Sequence, residues 1–358
     1  MLDLLYNIIF PLLTSFVVTY LAIPKIIHFS NQSRLFAKVG ERHSHKGEIP
    51  IFGGIAIFSG LLFSLLFWAK LEDLQFVLVS LIIIFFIGIL DDLLSLSPTR
   101  KLIGLFSSVF VFMFLGDLQI LSFHNLFGIQ ALPQWISILF TIFVTVIITN
   151  AYNLIDGIDG LAGGLGSIAS LVFGIIFLVN CDFQYAILSF TLLGSLLAFL
   201  KYNFNPASIF MGDTGSLVIG LILSILSIRL INAGVNISND YLFINKPPLP
   251  NKGPFISIVL LSIPLFDTFR VFFIRVFSGY HPLRPDRNHI HHALLDLGFG
   301  HKKSAFILYT YSIFITFISY FMIDMSLGLS IFLLSIIVLG SMSIPFVLLR
   351  IKKTKSEK

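Results

Sequence analysis

Long apolar runs separated by short polar segments dominate this chain of 358 residues. An α-helix needs about 20 mostly apolar residues to cross the hydrocarbon core of a bilayer. Eleven runs meet or approach this length, and they cover 4–28, 51–69, 75–94, 102–116, 134–152, 161–180, 184–200, 210–231, 254–275, 304–323 and 328–349. The pattern predicts an all-α polytopic integral membrane protein with about 11 transmembrane helices.

The composition agrees with this fold class. The chain is 56% hydrophobic and 11% charged, and its mean hydropathy is +0.96, which is too apolar for a soluble domain of this length. The first run has no basic segment before it and no small-residue cleavage site after it, so we expect it to stay as a helix. We find no internal repeat, and we predict one transmembrane domain over residues 1–350 and a basic tail at 351–358.

Lys and Arg are concentrated in alternate connections between the runs. If the N-terminus is outside the cell, 19 of the 23 Lys and Arg residues fall on the cytoplasmic side. The positive-inside rule therefore predicts an external N-terminus and a cytoplasmic C-terminus. The net charge of +5 is explained by this topology, and no pattern indicates a nucleic-acid partner. The single cysteine, Cys181, excludes an internal disulfide.

Polar motifs gather at the span ends on the predicted cytoplasmic side. They read "HSHKGEIPIFGG" at 43–54, "DDLLSLSPTRK" at 91–101, "NAYNLIDGIDGLAGG" at 150–164, "FMGDTGS" at 210–216 and "HPLRPDRNHIHHALLDLGF" at 281–299. Ionisable groups at membrane depth are costly and are usually functional. We therefore expect one functional site at the cytoplasmic mouth of the helix bundle.

Two adjacent carboxylates, Asp91 and Asp92, close an apolar run. Two like charges side by side require a compensating cation, which is either Mg²⁺ or a basic side chain. Lys101 lies ten residues further on and could return to the same site. In the alternative interpretation, one carboxylate caps the next helix and the other is solvated.

Four polar residues recur every three positions, and they are Asn150, Asn153, Asp156 and Asp159. On a helix each is turned about 60° back from the one before, so three in a row share roughly one face. Gly157 and Gly160 interrupt this helix and let a ligand approach the backbone closely. Amide and carboxylate groups suit a nucleobase, ribose hydroxyls or a metal ion, whereas the alternative is a plain Asn/Gly turn.

Asp213 stands between Gly212 and Gly215, which leave room for a hard cation beside its carboxylate. Phe210, three residues earlier, is either lipid-facing apolar surface or a platform for a base. His289, His291 and His292 lie near Arg284 and Arg287 and suit a phosphate or a sugar. A zinc site is the alternative, but no Cys is nearby and no H-E-x-x-H pattern occurs.

In their order along the chain, these motifs resemble the polyprenyl-phosphate N-acetylhexosamine-1-phosphate transferases. This glycosyltransferase 4 family includes WecA-like and TagO-like enzymes and the MraY translocase. The resemblance rests on Asp91-Asp92, "NAYNLIDGIDGLAGG", "FMGDTGS" and the "HIHH" of 289–292, with Ser95 standing where many members have Gly. It implies a membrane enzyme of ten or eleven helices, whose active site is built from cytoplasmic loops. Such an enzyme moves a sugar-1-phosphate from a UDP-sugar to undecaprenyl phosphate and releases UMP.

The resemblance also implies residue roles. Mg²⁺, with Mn²⁺ as the alternative ion, is expected on Asp213 and Asn153, and Lys101 is expected to hold the lipid phosphate. Lys46, Asp156, Asp159 and Phe210 are expected around the uridine. The candidate catalytic residues are Asp91, Asp92, Asp156, Asp159, His289, His291 and His292. The candidate substrate-binding residues are Lys46, Lys101, Asn150, Asn153, Phe210 and Arg287.

The resemblance favours a UDP-N-acetylglucosamine:undecaprenyl-phosphate transferase of the bacterial inner membrane, which starts an envelope polysaccharide such as O-antigen or teichoic acid. The segment "PDRNHIHH" resembles the branch that uses simple hexosamines. The alternatives are another UDP-N-acetylhexosamine or an MraY-like muramyl pentapeptide donor. A lipid or ion transporter is a further alternative, although it would carry mid-span charges and repeated halves. Membrane lipids are expected partners, and a homodimer is compatible with this interpretation.

Overall fold

A computed structural model describes residues 5–33, 49–126, 128–233, 250–279 and 288–356 of the chain. Within these ranges the α-helices are α1 (Phe10–Ser33), α2 (Gly53–Trp68), α3 (Leu71–Leu94), α4 (Pro98–Phe110), α5 (Gln134–Ile155), α6 (Leu161–Val179), α7 (Phe183–Asn203), α8 (Gly212–Ala233), α9 (Gly253–Leu260), α10 (Ser262–Phe277), α11 (Ile290–Asp296), α12 (His301–Phe321) and α13 (Leu327–Ser356). Strands β1 (Ser122–Leu126) and β2 (Ile129–Ala131) pair as an antiparallel hairpin between α4 and α5.

The predicted all-α polytopic membrane fold is confirmed. Nine helical segments of the described residues are long and apolar enough to cross a membrane. Helices α9 and α10 form a tenth span if the 78° bend between them lies within one crossing. Helix α2 is apolar but has only 16 residues, which is short for a span. By length and composition the described helices thus give nine or ten spans. Helix α2 accounts for the one remaining predicted segment, 51–69.

Helix α8 lies at the centre of the bundle. Along its most apolar stretch 94% of the residues are buried, and its buried apolar residues occur on every face of the helix. A helix that is hydrophobic all round is stable only when other helices surround it. Here α2, α3, α5 and α9 pack against α8, so the position of α8 fixes the positions of its neighbours.

Glycines let two neighbouring helices touch the first turn of α8. A Cβ added at Gly54 of α2 would collide with the backbone of Gly215, and one added at Gly88 of α3 would collide with Thr214. A third close contact occurs further along α8, where a Cβ at Gly220 would lie 2.6 Å from the Cα of Thr149 in α5. These contacts bring the polar ends of α3 and α5 beside the N-terminus of α8, and we call this end of the bundle the site end.

Polar contacts also hold the opposite end of the bundle together. Arg229 of α8 pairs with Asp182, which precedes α7, at 2.6 Å. The Asn232 amide donates to the carbonyl of Gln119 at 2.8 Å. These pairs link the end of α8 to the chain before α7 and to the chain before the hairpin.

We predict that the close helix contact at Gly54 is essential for stability. Gly54→Ala should lower the thermal unfolding temperature in detergent, because overpacking of a tight contact costs about 1–3 kcal/mol. Gly340→Ala in α13 is the matched control, since nothing lies within 4 Å of a Cβ added there. The control should leave the unfolding temperature unchanged or raise it slightly. Equal unfolding temperatures for Gly54→Ala and the unmodified protein would contradict the packing described.

Candidate active site

A carboxylate from another helix caps the N-terminus of α8. Asp92, in the last turn of α3, accepts the backbone N–H groups of Asp213 at 2.7 Å and of Thr214 at 3.0 Å. It also accepts the Thr214 hydroxyl at 2.5 Å. The first amides of a helix have no partner within the helix, and a negative charge near them is stabilising. Asp92 therefore fixes the backbone of Asp213 and is fully engaged in doing so.

Lys101 bridges the two remaining carboxylates of this cluster. Its ammonium contacts Asp91 Oδ2 at 2.9 Å and forms an ion pair with Asp213. The backbone N–H of Leu96 holds the other oxygen of Asp91 at 2.7 Å. The predicted return of Lys101 to the aspartate pair is therefore confirmed. The alternative interpretation is right only in part. Asp92 does cap a helix, but the helix is α8 and not the next one along the chain. Asp91 is paired with Lys101 and is not simply solvated.

Asn153 joins the same cluster from α5. Its amide nitrogen donates to Asp213 Oδ1 and to the hydroxyl of Ser216, both at 2.9 Å. Asn153 and Asp213, which the resemblance implies as ligands of one metal ion, are in contact here, whereas Ser216 was not singled out in the sequence. Its position three residues after Asp213, one turn along α8, is the signal that could have found it.

The donor set fits a magnesium ion better than a zinc ion. No group of three or more His, Cys, Asp or Glu side chains in the described part of the chain encloses a metal. Magnesium is usually held by one or two carboxylates together with substrate phosphates, so it needs no such cage. Asp91 and Asp213 converge on one cationic group, the Lys101 ammonium, and Asn153 lies beside them. The carboxylate oxygens of Asp91 and Asp213 suit Mg²⁺ or Mn²⁺, whereas the zinc alternative gains no support.

The polar residues of "NAYNLIDGIDG" do not share one helical face as expected. Helix α5 ends at Ile155, so Asp156 and Asp159 lie in the following turn. Gly160 adopts a φ of +79°, a left-handed conformation that favours glycine and starts α6 in a new direction. The shared-face prediction is wrong for these two aspartates because the helix stops earlier than a regular three-residue spacing suggests. The turn 156–160 nevertheless places them at the site end.

Asp159 is buried, and together with Gly160 it holds the turn to α7, to the chain after α7 and to α12. Its Oδ2 accepts the Asn205 amide at 2.8 Å, and its Oδ1 faces His301 Nδ1 of α12 at 3.4 Å. The next residue, Gly160, donates its N–H to Asn203 of α7 at 2.8 Å. These contacts tie α7, α12 and the turn together, so the buried Asp159 stabilises the turn that carries Asp156.

Asp156 is partly buried beside other carboxylates. Burial, together with the charges of Asp213, Asp92 and Asp159, raises the pKa of its carboxyl to about 7. A carboxyl with such a pKa exchanges its proton near neutral pH and gains most from an added cation. The site end therefore has a surplus of negative charge that a metal ion would relieve.

The histidine segment, residues 289–292, packs onto the turn 156–160. His291 is 1% exposed, and its ring lies against Gly157 so closely that no side chain would fit there. Burial and the neighbouring histidines lower the pKa of His291 well below its usual value. His291 is therefore a neutral packing residue, and the prediction that it is catalytic gains no support from this position.

His289 precedes helix α11 and contacts a residue that sequence analysis did not single out. Its Nδ1 lies 2.9 Å from Oδ2 of Asp267, a buried aspartate of α10. His292 occupies the first turn of α11, with its ring centroid 4.2 Å from that of His291. A lone carboxylate within the apolar run 254–275 was the available signal for Asp267.

Other predicted residues are placed apart from the Lys101 cluster or are not described. The Asn150 amide donates to the carbonyl of Val146 at 2.9 Å, one turn back on α5. Phe210 joins the chain before α2 to the chain before α8, because its backbone pairs with Pro50 and Gly53 at 2.8 and 2.9 Å. Its ring is partly buried. Three predicted residues lie outside the described ranges: Lys46, Arg284 and Arg287.

Comparisons with known proteins identify relatives of this chain by sequence. The family described as glycosyl transferase family 4 matches residues 74–231. A decaprenyl-phosphate N-acetylglucosaminephosphotransferase of Mycobacterium leprae is 31% identical over 318 residues, which cover 83% of this chain and 79% of the relative. A probable undecaprenyl-phosphate N-acetylglucosaminyl 1-phosphate transferase of Bacillus subtilis is 29% identical, with coverage of 86% and 84%. An undecaprenyl-phosphate alpha-N-acetylglucosaminyl 1-phosphate transferase of Salmonella typhi is 26% identical, with coverage of 77% and 73%.

We predict that Asp92 stabilises the fold because it caps the N-terminus of α8. Asp92→Ala leaves two amides at the start of α8 without their acceptor, which should cost about 1–3 kcal/mol of unfolding free energy. The expected result is a lower thermal unfolding temperature in detergent. Asp296→Ala, at an exposed position of α11, is the control and should change the unfolding free energy by less than about 0.5 kcal/mol. The capping assignment fails if the two variants unfold at the same temperature.

Proposed function

This chain belongs to glycosyl transferase family 4, and on that premise we propose that it transfers N-acetylglucosamine-1-phosphate from UDP-N-acetylglucosamine to undecaprenyl phosphate. The names of the relatives support a polyprenyl-phosphate acceptor and an N-acetylglucosamine phosphate product. The carrying observation is that Lys101, Asp91 and Asp213 converge in one cluster at the site end. Carboxylates of this kind can hold a divalent cation, and the Lys101 ammonium can meet a phosphate.

The reaction moves a sugar phosphate from UMP to the polyprenyl phosphate. An oxygen of the polyprenyl phosphate forms a bond to the β-phosphorus of the UDP-sugar. The bond between that phosphorus and the bridging oxygen breaks, and UMP leaves with the bridging oxygen. The acceptor is a phosphate monoester whose second pKa is about 6, so most of it is already a dianion at pH 7. It needs little help from a general base, whereas the approach of two anions demands positive charge and in-line alignment.

The chain's own residues supply that positive charge and alignment. Lys101 is the cationic group of the cluster, and we assign it to the acceptor phosphate. Asp91 orients Lys101 through its 2.9 Å contact, and Asp92 orients Asp213 through the start of α8. Asp213 and Asp91, with the amide oxygen of Asn153, would hold Mg²⁺. When bound, the ion would supply positive charge to the diphosphate oxygens of the donor.

The turn 156–160 and the histidine segment form the second part of the proposed site. Asp156 lies in the turn, His291 packs on it, and His289 is held beside His291. Carboxylate, amide and imidazole groups can bind ribose hydroxyls and a sugar phosphate. We assign the uridine and the sugar to this part, with Phe210 as a candidate stacking surface for the base.

The proposed topology puts this site on the cytoplasmic side of a bacterial inner membrane. All eleven predicted segments are helical within the described ranges. The proposal counts α2 as one span and the bent α9–α10 pair as another, which gives eleven spans with the nine long helices. The N-terminus is then outside, and the C-terminal end of α13 and the site end face the cytoplasm. The concentration of Lys and Arg in the connections on the site side supports this orientation. A water-soluble nucleotide sugar can reach the site from there.

The direct test incubates the purified protein with undecaprenyl phosphate, Mg²⁺ and one of several labelled UDP-sugars. We expect label from UDP-N-acetylglucosamine to become lipid-extractable, with one UMP released for each lipid modified. Labelling only from another UDP-N-acetylhexosamine or from a muramyl pentapeptide donor would replace the proposed donor. Movement of a lipid or ion without UMP release would instead indicate a transporter. Because a relative is named for a decaprenyl acceptor, decaprenyl phosphate is assayed in parallel.

A further inference from the structure

Helix α10 carries a carboxylate that the reaction described so far does not use. Asp267 is 1% exposed, although it lies within an otherwise apolar segment. Its Oδ1 accepts the backbone N–H of Ile290 at 2.9 Å, and its Oδ2 lies 2.9 Å from His289 Nδ1. A buried carboxylate is costly unless it is well paired, and these two contacts offset the cost of burying Asp267.

A second residue of α10 holds the same segment. Arg270, one turn after Asp267, donates to the carbonyl of Asn288 at 2.8 Å. Its guanidinium also lies over the ring of Phe346 in α13, 3.3 Å from the ring centroid. The backbone at 288–290 is therefore fixed on both sides of His289, which leaves the imidazole little freedom to change its direction.

The contact with His289 exceeds what a helix cap requires. A cap for α11 needs only one acceptor for the Ile290 N–H, and an asparagine oxygen would serve as well as a carboxylate. An ionised carboxylate only accepts hydrogen bonds, so the facing Nδ1 of His289 must carry the proton. The other nitrogen, Nε2, is then an acceptor in the neutral ring and a donor in the charged ring. Asp267 thus determines which nitrogen of His289 can meet a ligand.

Two contacts connect this pair to the site. The rings of His289 and His291 stack in nearly parallel planes, with centroids 5.8 Å apart and 6° between the planes. His291 in turn packs on Gly157, the neighbour of Asp156 in the turn 156–160. The orientation that Asp267 imposes on His289 is therefore transmitted to the part of the site assigned to the donor.

We propose that Asp267 is a positioning residue for the transfer reaction, which fixes the orientation and the Nδ1–H tautomer of His289 so that Nε2 is available to the sugar phosphate of the donor. The inference rests on the proposed function, because it assigns a role within that reaction. His289 is the residue that meets the substrate, and Asp267 acts only through it.

The kinetic test uses Asp267→Asn, which retains an oxygen for the Ile290 N–H but presents an amide N–H₂ to His289. Because that group donates, it favours the tautomer with the proton on Nε2. We expect kcat to fall about tenfold or more, with KM for undecaprenyl phosphate changed by less than about twofold. Asp296→Asn on the exposed side of α11 is the control and should behave as the unmodified protein.

A double variant separates positioning from a general structural effect. In a His289→Ala background, Asp267→Asn should cause no further loss of kcat, because the residue through which it acts is gone. A purely structural role would slow the His289→Ala protein again. Equal kinetics for Asp267→Asn and the unmodified protein would also overturn the proposal.

A spectroscopic test needs no Asp267 variant, so it holds even if such variants fold poorly. The protein is labelled with ¹⁵N-histidine, and the His289 signals are assigned by their loss in His289→Ala. We expect a protonated Nδ1 in the unmodified protein, and a neutral His289 protonated only at Nε2 would overturn the proposal. Failure of the unmodified protein to transfer sugar phosphate would overturn the proposed function and this role together. An active protein that fails the kinetic or spectroscopic test would overturn the positioning role alone.

Discussion

The structure depends on the need to bury helix α8 along its whole length while its polar N-terminus stays paired. An unpaired amide in an apolar environment is costly, so the first turn of α8 requires an acceptor. Asp92 of α3 provides it, and Gly54 and Gly88 let α2 and α3 approach closely enough. The same contacts bring Asp213 to the surface of the cluster. Fold and site therefore share one constraint, which is the position of the start of α8.

The remaining charges at the site end follow from that constraint. Once Asp92 is engaged by α8, Asp91 and Asp213 remain, and both meet the ammonium of Lys101. Asn153 is brought to Asp213 because α5 packs directly on α8. The cluster thus combines negative charge, which suits a divalent cation, with one positively charged side chain, which suits a phosphate. This combination explains how a largely apolar bundle can bring two anionic substrates together.

The sequence predicted the membrane fold, the helix positions and most of the cluster, because apolar runs and charges at their ends are local signals. The return of Lys101 to the aspartate pair was predicted from its spacing alone. The separate tasks of Asp91 and Asp92 were not, since they depend on which helix lies opposite each carboxylate. The register of Asp159 was missed because the chain turns where α5 ends. Asp267 was missed because its partner is distant in sequence and it belongs to no polar motif.

The most direct measurement is a titration of the purified protein with Mn²⁺, followed by electron paramagnetic resonance, for the unmodified protein, Asp213→Asn and Lys101→Met. In the proposed metal site the ammonium and the ion would compete for the same two carboxylates, so Lys101→Met should bind Mn²⁺ more tightly than the unmodified protein. Asp213→Asn should bind it at least about tenfold more weakly, because a charged ligand is lost. Equal Mn²⁺ affinity in all three proteins would contradict the account of a shared cation position between Asp91 and Asp213.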